Sequence, residues 1–492
     1  MTSRAFTSVA LAAVALFSAG PALAASTDKV TAALYGEPDS LDPIYDTNIP
    51  ALNIYYAIFD RLATIDAKGD IVPNLATAWK SNADQTEWTF DLEKGAKCHD
   101  GNPMDGSDVV FTYKTAMTEP TSRLGGYLGL VKTVEAVSPT EVKFELKSPF
   151  APWPRQTALV SIVCQEAYEK IGKEAFGRSP VGSGPYEFVS WSAGDAITLK
   201  RAENHVGTPG KFATVVFKPV PDETTRANSV QSGDLDVALL GPSQVPAVKA
   251  GGAVDVVDQP ANRVVYLGFD GAFPFLGDEK FRKAIDLAFD RKLLSDNLLN
   301  GAVAPTAQLI APVTFGYDPD LKPTQPDAEK AKALVNEAGY DGTPILLSYP
   351  TTGLPQVDQV AQAIAYFLDQ VGIKVQLDPQ EQNTYFQAWY KRDLKGLYIF
   401  AFAPSVMDAN LPLEMLLKTG GQGYIHDPRI DELLAAQIGE SDAEKRAELL
   451  GEISTISYDK TLYAPLFTDT YTYGVAKGLD WTPRPDGMMV FR

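Results

Sequence analysis

Thr86 to Leu92 alternates bulky and polar side chains with the two-residue period of a half-buried strand. Glu141 to Lys147 repeats the pattern, setting Val142, Phe144 and Leu146 between charged neighbours. Val30 to Leu34, Tyr186 to Ser190, Ala196 to Arg201 and Thr214 to Pro219 also read as strands. Helical spacing begins in Asn48 to Leu62, where Leu52, Tyr55, Tyr56 and Phe59 share a face. A second helix follows the turn-rich run His99 to Pro103; Asp105 or Ser107 can cap it, and Val109, Val110 and Tyr113 form its apolar stripe. The character changes between Ala261 and Asp278. From Glu279 to Leu294, Phe281, Ala284, Ile285, Ala288 and Phe289 lie on one side of a helix. Asp327 caps another that stops before Gly339. Ile345 to Tyr349, Val357 to Val371 and Ile373 to Leu377 then read as strand, helix and strand, the pattern of a parallel crossover. Two late helices, Arg429 to Ile438 and Ala443 to Tyr458, precede strands at Tyr463 to Phe467 and Thr470 to Val475.

The class this predicts is α/β, in two lobes with more than one connection between them. The expected division is residues 25–72, 178–268 and 470–492 for the first lobe, 73–177 as a subdomain inserted in it, and 269–469 for the second. The first residues read as a cleavable secretory signal, 1–24: Arg4, then the apolar Val9 to Phe17, then Ala22-Leu23-Ala24 as the small-residue site. No Cys follows that site to carry a lipid. The expected location is therefore periplasmic, free of the membrane.

Composition narrows the partners. With 45% hydrophobic and 21% charged residues the chain suits a folded globular protein, and a net charge of −19 disfavours nucleic acid as a partner. The two cysteines, Cys98 and Cys164, either pair in an oxidising compartment or remain separate buried thiols.

Catalytic chemistry finds little support. The three histidines, His99, His205 and His426, are far apart, and no metal-ligand spacing, Gly-x-Ser-x-Gly elbow or phosphate-binding Gly-Lys-Ser/Thr loop occurs. His99-Asp100 sits in a turn, where its structural role outweighs a mechanistic one. No catalytic residue, metal site or cofactor is predicted.

The run Pro73, Leu75, Ala76, Trp79, Phe90, Leu92, Gly95, His99, Asp100, Gly101, Asp108, Val109 and Phe111 resembles the signature region of the family 5 extracellular solute-binding proteins. These serve ABC importers of peptides, nickel chelates and related solutes. Glu93 and Cys98 depart from the pattern, at places where a base and an aromatic are usual. Gly36 to Pro43, Gly184 to Phe188 and Ser232 to Asp236 extend the likeness. The resemblance implies a two-lobed periplasmic binding protein with an extra N-terminal subdomain, which closes on a small solute and delivers it to an ABC permease complex of the inner membrane. It also implies a monomer.

Carried over residue by residue, it places Ala401, Phe402 and Ala403 on one side of the ligand and Glu37, Pro38 and Asp39 on the other. Peptide-binding relatives anchor the ligand's α-ammonium with an Asp in the following loop; this chain has Ser405 there. Asp408 matches a second acid that more often structures the loop. Trp389 is the remaining aromatic candidate, since flat rings cover apolar ligand faces. Asp408→Ala and Trp389→Ala are accordingly expected to weaken binding and leave unfolding nearly unchanged. A short peptide is the leading solute, an opine or sugar-derived compound the alternative, and a secreted hydrolase the competing class.

Overall fold

The computed structural model describes residues 28–354 and 356–492; the predicted signal segment, 1–24, lies outside them. Its main feature is an eleven-stranded mixed sheet. From one edge the strands are Val375–Gln380, Ile345–Pro350, Leu397–Phe402, Asp255–Phe269, Ala464–Val475, Val237–Leu239, Lys29–Leu34, Thr214–Pro219, Ala196–Arg201 and Tyr186–Ser192, with Ala304–Pro305 joined to Ala464–Val475 off this path. The crossover forms as its pattern predicts: Ile345–Pro350 lies parallel to Val375–Gln380, linked by the helix Val357–Gln370. Separate apolar cores fill the two sides. One includes Val30, Tyr55, Phe90 and Trp153; others include Phe281, Ile345 and Ile364, or Tyr266, Trp389 and Leu450.

Two findings depart from the sequence pattern. Asp255–Phe269 is one long strand, hidden from pattern reading by Pro260 and by the polar Asn262 and Arg263. Its partner Ala464–Val475 runs unbroken through Thr468 and Asp469, which look like a gap between two strands. Both surprises share a cause. Pro260 lies opposite Thr470 and Val264 opposite Thr468, so Ala261, Asn262 and Arg263 meet the single residue Asp469 in a bulge. Proline is tolerated there because the ladder is already interrupted, and Asp469 is tolerated because Arg263 neutralises it.

A four-stranded antiparallel sheet, Ala76–Ser81, Glu87–Leu92, Glu141–Leu146 and Val131–Ser138, carries the segment after Pro73. The helix Gly106–Thr118 packs beside it. Asp105 caps this helix by accepting from Ser107 N (2.8 Å), and Asp108 returns the bond from Asp105 N (2.8 Å). His99 stays in its turn, with Nε2 2.9 Å from Gly184 O. Of the two possibilities for the cysteines, the structure contains the disulfide: Cys98 and Cys164 are joined with their Cα atoms 6.1 Å apart, inside the first core.

Candidate functional site

Strand direction locates the site. Lys29–Leu34 runs parallel to Thr214–Pro219 and Val237–Leu239, and Ile345–Pro350 runs parallel to Val375–Gln380 and Leu397–Phe402. Phe402 pairs with Val264, and Leu239 pairs with Tyr473, so the carboxyl ends of both parallel sets point at the bulge 260–264. Ligands of open α/β sheets bind beyond such ends.

At the bulge Arg263 Nε donates to Asp469 Oδ2 at 2.6 Å, and Nη2 reaches the same oxygen. Asp469 is 3% exposed and Arg263 half-buried. Burial alone would lower the Arg263 pKa, but Asp469 and Tyr471 outweigh it and hold the guanidinium above its ordinary value. Tyr35, just past the first strand, has its phenol pushed up to about 12, first by desolvation and then by Tyr471, with Arg263 pulling the other way. Arg263, Asp469, Tyr35 and Tyr471 thus form one electrostatic group. No sequence motif marks it. The usable signal was Asp469, the one charged residue in the apolar run Ala464 to Val475.

Beside Arg263 lies a pocket of about 390 Å³. Ile345–Pro350 pairs with Leu397–Phe402 only through Leu347 and Ser348. Past that point the strands part: Pro350, Thr352 and Gly353 line one wall and Ile399, Phe400 and Ala401 the other. Gln382 and Phe386, from the helix Gln382–Tyr390, complete it. Arg263 is the sole charged side chain among the described lining residues, and its Nη1 is 3.4 Å from Gly353 O.

The candidate residues distribute unevenly. Ala401 lines this pocket, and Phe402 follows it, half-buried, at the strand end. Ala403 and Ser405 are exposed on the next turn, which Asn262 Nδ2 fixes by donating to Pro404 O at 3.0 Å. Glu37, Pro38 and Asp39 follow the first strand on the other side of the bulge. Glu37 is exposed but engaged, accepting from Trp191 Nε1 (2.7 Å) and Gly194 N (3.0 Å); Pro38 is buried, and Asp39 exposed.

Asp408 and Trp389 need correction. Asp408 is 1% exposed and turned inward: Arg446 grips it with Nη1 at 2.8 Å and Nη2 at 2.6 Å, and Arg155 Nε is 3.7 Å away. Trp389 is 2% exposed, its ring stacked on Phe400 with centroids 4.2 Å apart. Neither side chain offers a surface to a solute. Arg446 and Arg155 supply the counter-charge that lets the carboxylate be buried, and the ring packs among apolar neighbours.

Near the same loop, Asp42 is buried and its pKa is raised to about 6, by desolvation first, against the lowering effect of Ile44 N and the Tyr168 hydroxyl. A folded-state pKa above the unfolded one means stability that is complete below about pH 4 and lost as pH rises through about 6. The loss is at most about 3 kcal/mol. Asp42→Asn is therefore expected to flatten the dependence of unfolding free energy on pH between 4 and 6. Denaturant titrations of both proteins at pH 4, 5, 6 and 7 check this, and parallel curves would refute it.

Among the described residues no group of three or more His, Cys, Asp and Glu is placed to hold a metal ion, and no helix is long and apolar enough to cross a membrane. Two lobes joined by paired strands, with a pocket where parallel strand ends converge, define a two-lobed binding protein. Residues 70–424 match the family described as bacterial extracellular solute-binding proteins, family 5 Middle. The chain belongs to that family. It is 25% identical over 458 residues to the probable D,D-dipeptide-binding periplasmic protein of Escherichia coli K12, covering 90% of this chain and 88% of the relative. In fold it is similar to a periplasmic murein tripeptide binding protein in its unliganded open form (TM-score 0.83, 23% identity, 94% of this chain and 96% of that one). It is also similar to a periplasmic binding protein from Helicobacter pylori in complex with the peptide STSA (TM-score 0.75, 21% identity, 94% and 96%).

Proposed function

We propose that this chain is the receptor of an ABC importer, holding one small solute between its lobes and handing it to an inner-membrane permease. The convergence of both sets of parallel strand ends on the Arg263–Asp469 pair, beside a pocket with a free strand wall, carries this reading. A short peptide is the leading solute, because an extended backbone can lie along the half-buried Ala401 and Phe402, beyond the point where Ile345–Pro350 has diverged. The dipeptide and peptide names of the relatives support the same class. An opine or sugar-derived solute is the second reading, favoured by the neutral Ser405 and by the commitment of Asp408 to Arg446.

In this reading the chain crosses between lobes at 261–263 and near Asp469, with 73–177 inserted in the first lobe. Contacts would come from Arg263, Ala401, Phe402, Ala403 and Ser405, facing Tyr35 and the segment Glu37 to Asp39. The protein works as a periplasmic monomer, binds no nucleic acid and catalyses nothing. Native mass spectrometry of gently purified protein, followed by titration with the solute it carries, tests this. Saturation at one solute per chain, with the solute recovered intact, is expected; catalytic turnover of the solute would replace the receptor with a hydrolase.

A further inference from the structure

A second hollow lies beside Tyr35 and Tyr471. It opens at the carboxyl ends of Lys29–Leu34 and Val237–Leu239, beneath the start of the helix Ile49–Ile58. Tyr35, Ile49, Leu239, Tyr471, Tyr473 and Met489 supply most of its wall. It shares no lining residue with the pocket beside Ala401. They are neighbours across the Arg263–Asp469 pair: Arg263 lines the first, and Tyr471 of the second follows Asp469 by two residues on the strand Ala464–Val475, on the same face.

The amide and carboxylate side chains around this hollow are already engaged. Asn53 Oδ1 accepts from Met489 N at 2.7 Å and its Nδ2 donates to Ile49 O at 2.8 Å. Asp486 is held by Arg484 Nε at 3.0 Å and by Met488 N at 3.0 Å, and Tyr473 donates to Gly487 O at 3.3 Å. A charged group entering here would lose its water and find no free counter-charge, whereas an apolar group would gain from leaving water. At the rim, Tyr35 is 46% exposed and Ile49 43% exposed, a high fraction for side chains of that size and character.

We propose that this hollow is a second solute subsite for an uncharged aromatic or branched aliphatic group. This rests on the receptor reading and names the chemistry that such a receptor selects.

The test is calorimetric titration of the whole mature chain with alanine tripeptides in which one position at a time is Phe, Leu, Lys or Glu. At one position Phe or Leu should bind about tenfold or more tighter than Lys or Glu. Ile49→Trp, which fills the hollow from its exposed rim, should cost the Phe tripeptide at least about fivefold more affinity than the all-alanine one, with an unchanged circular dichroism spectrum and melting curve. Binding without side-chain preference, or a preference that Ile49→Trp leaves intact, would overturn the subsite and leave the receptor standing. Failure of every tripeptide to bind would overturn both the subsite and the peptide reading.

Discussion

Replacing Asp408 with alanine is expected to lower the unfolding free energy by about 3–5 kcal/mol. The carboxylate is the shared counter-charge of two buried guanidinia, Arg446 at 5% and Arg155 at 9% exposure. Both flank the ring of Phe315, with centroid distances of 5.0 Å and 5.4 Å. Without Asp408 the arginines retain neutral hydrogen-bond partners only: Gln437 Oε1 for Arg446, and the carbonyls of Gly69, Val406 and Met407 for Arg155. Two buried cations that lose their shared carboxylate, with only Asp70 and Asp66 left to act on Arg155, cost far more than a lost surface pair. The double variant Asp408→Ala, Arg446→Met should recover part of the loss by removing one of those charges. Urea denaturation of wild type, both single variants and the double variant measures the coupling. An Asp408→Ala midpoint equal to wild type would refute the buried-pair account. Solute affinity should fall as well, because Asp408 holds Arg155, whose Nη1 donates to Val406 O at 3.3 Å and Met407 O at 3.4 Å, directly after the turn that presents Ala403 and Ser405.

The strands and helices were largely legible because their periodicity is local. Glu87–Leu92, Glu141–Leu146, Gly106–Thr118 and the crossover from Ile345 to Gln380 all appear within a few residues of their predicted bounds. The site was less legible, for two physical reasons. Burial is a property of the whole fold, so the aromatic concentration around Trp389 did not reveal that Trp389 packs behind Phe400. Charge pairing acts across sequence: Asp408 meets Arg446 and Arg155, and Asp469 meets Arg263, at separations no local window spans. Ala401, which lines the pocket beside Arg263, came from the family resemblance rather than from any local pattern; only the strand that ends at Phe402 could be read locally. Arg263 was missed because the bulge that places it exists only when Asp255–Phe269 lies against Ala464–Val475.

Trp389→Ala is the second large effect, an expected loss of about 3–5 kcal/mol from the cavity left in the core. The indole lies at 11° to the ring of Phe400, and Phe400 also meets Tyr385 and Phe386 at centroid distances of 6.3 Å and 5.6 Å. Phe400, Tyr385 and Phe386 all line the pocket beside Arg263. Trp389 is therefore the backing of a binding wall, and its removal lets Phe400 turn into the space vacated. Binding should weaken together with stability, since the pocket's wall and the core are the same stack of rings. Trp389→Phe separates shape from polarity. It keeps a ring against Phe400 and deletes an indole Nε1 that has no hydrogen-bond partner among the described residues, so the desolvation cost of that N–H is relieved while a smaller void is left. Its stability loss should be well under half that of Trp389→Ala, with solute affinity close to wild type. Thermal unfolding and calorimetric binding on the two variants decide it: a Trp389→Phe protein as unstable as Trp389→Ala would show that the indole itself, rather than a stacked ring, supports the wall.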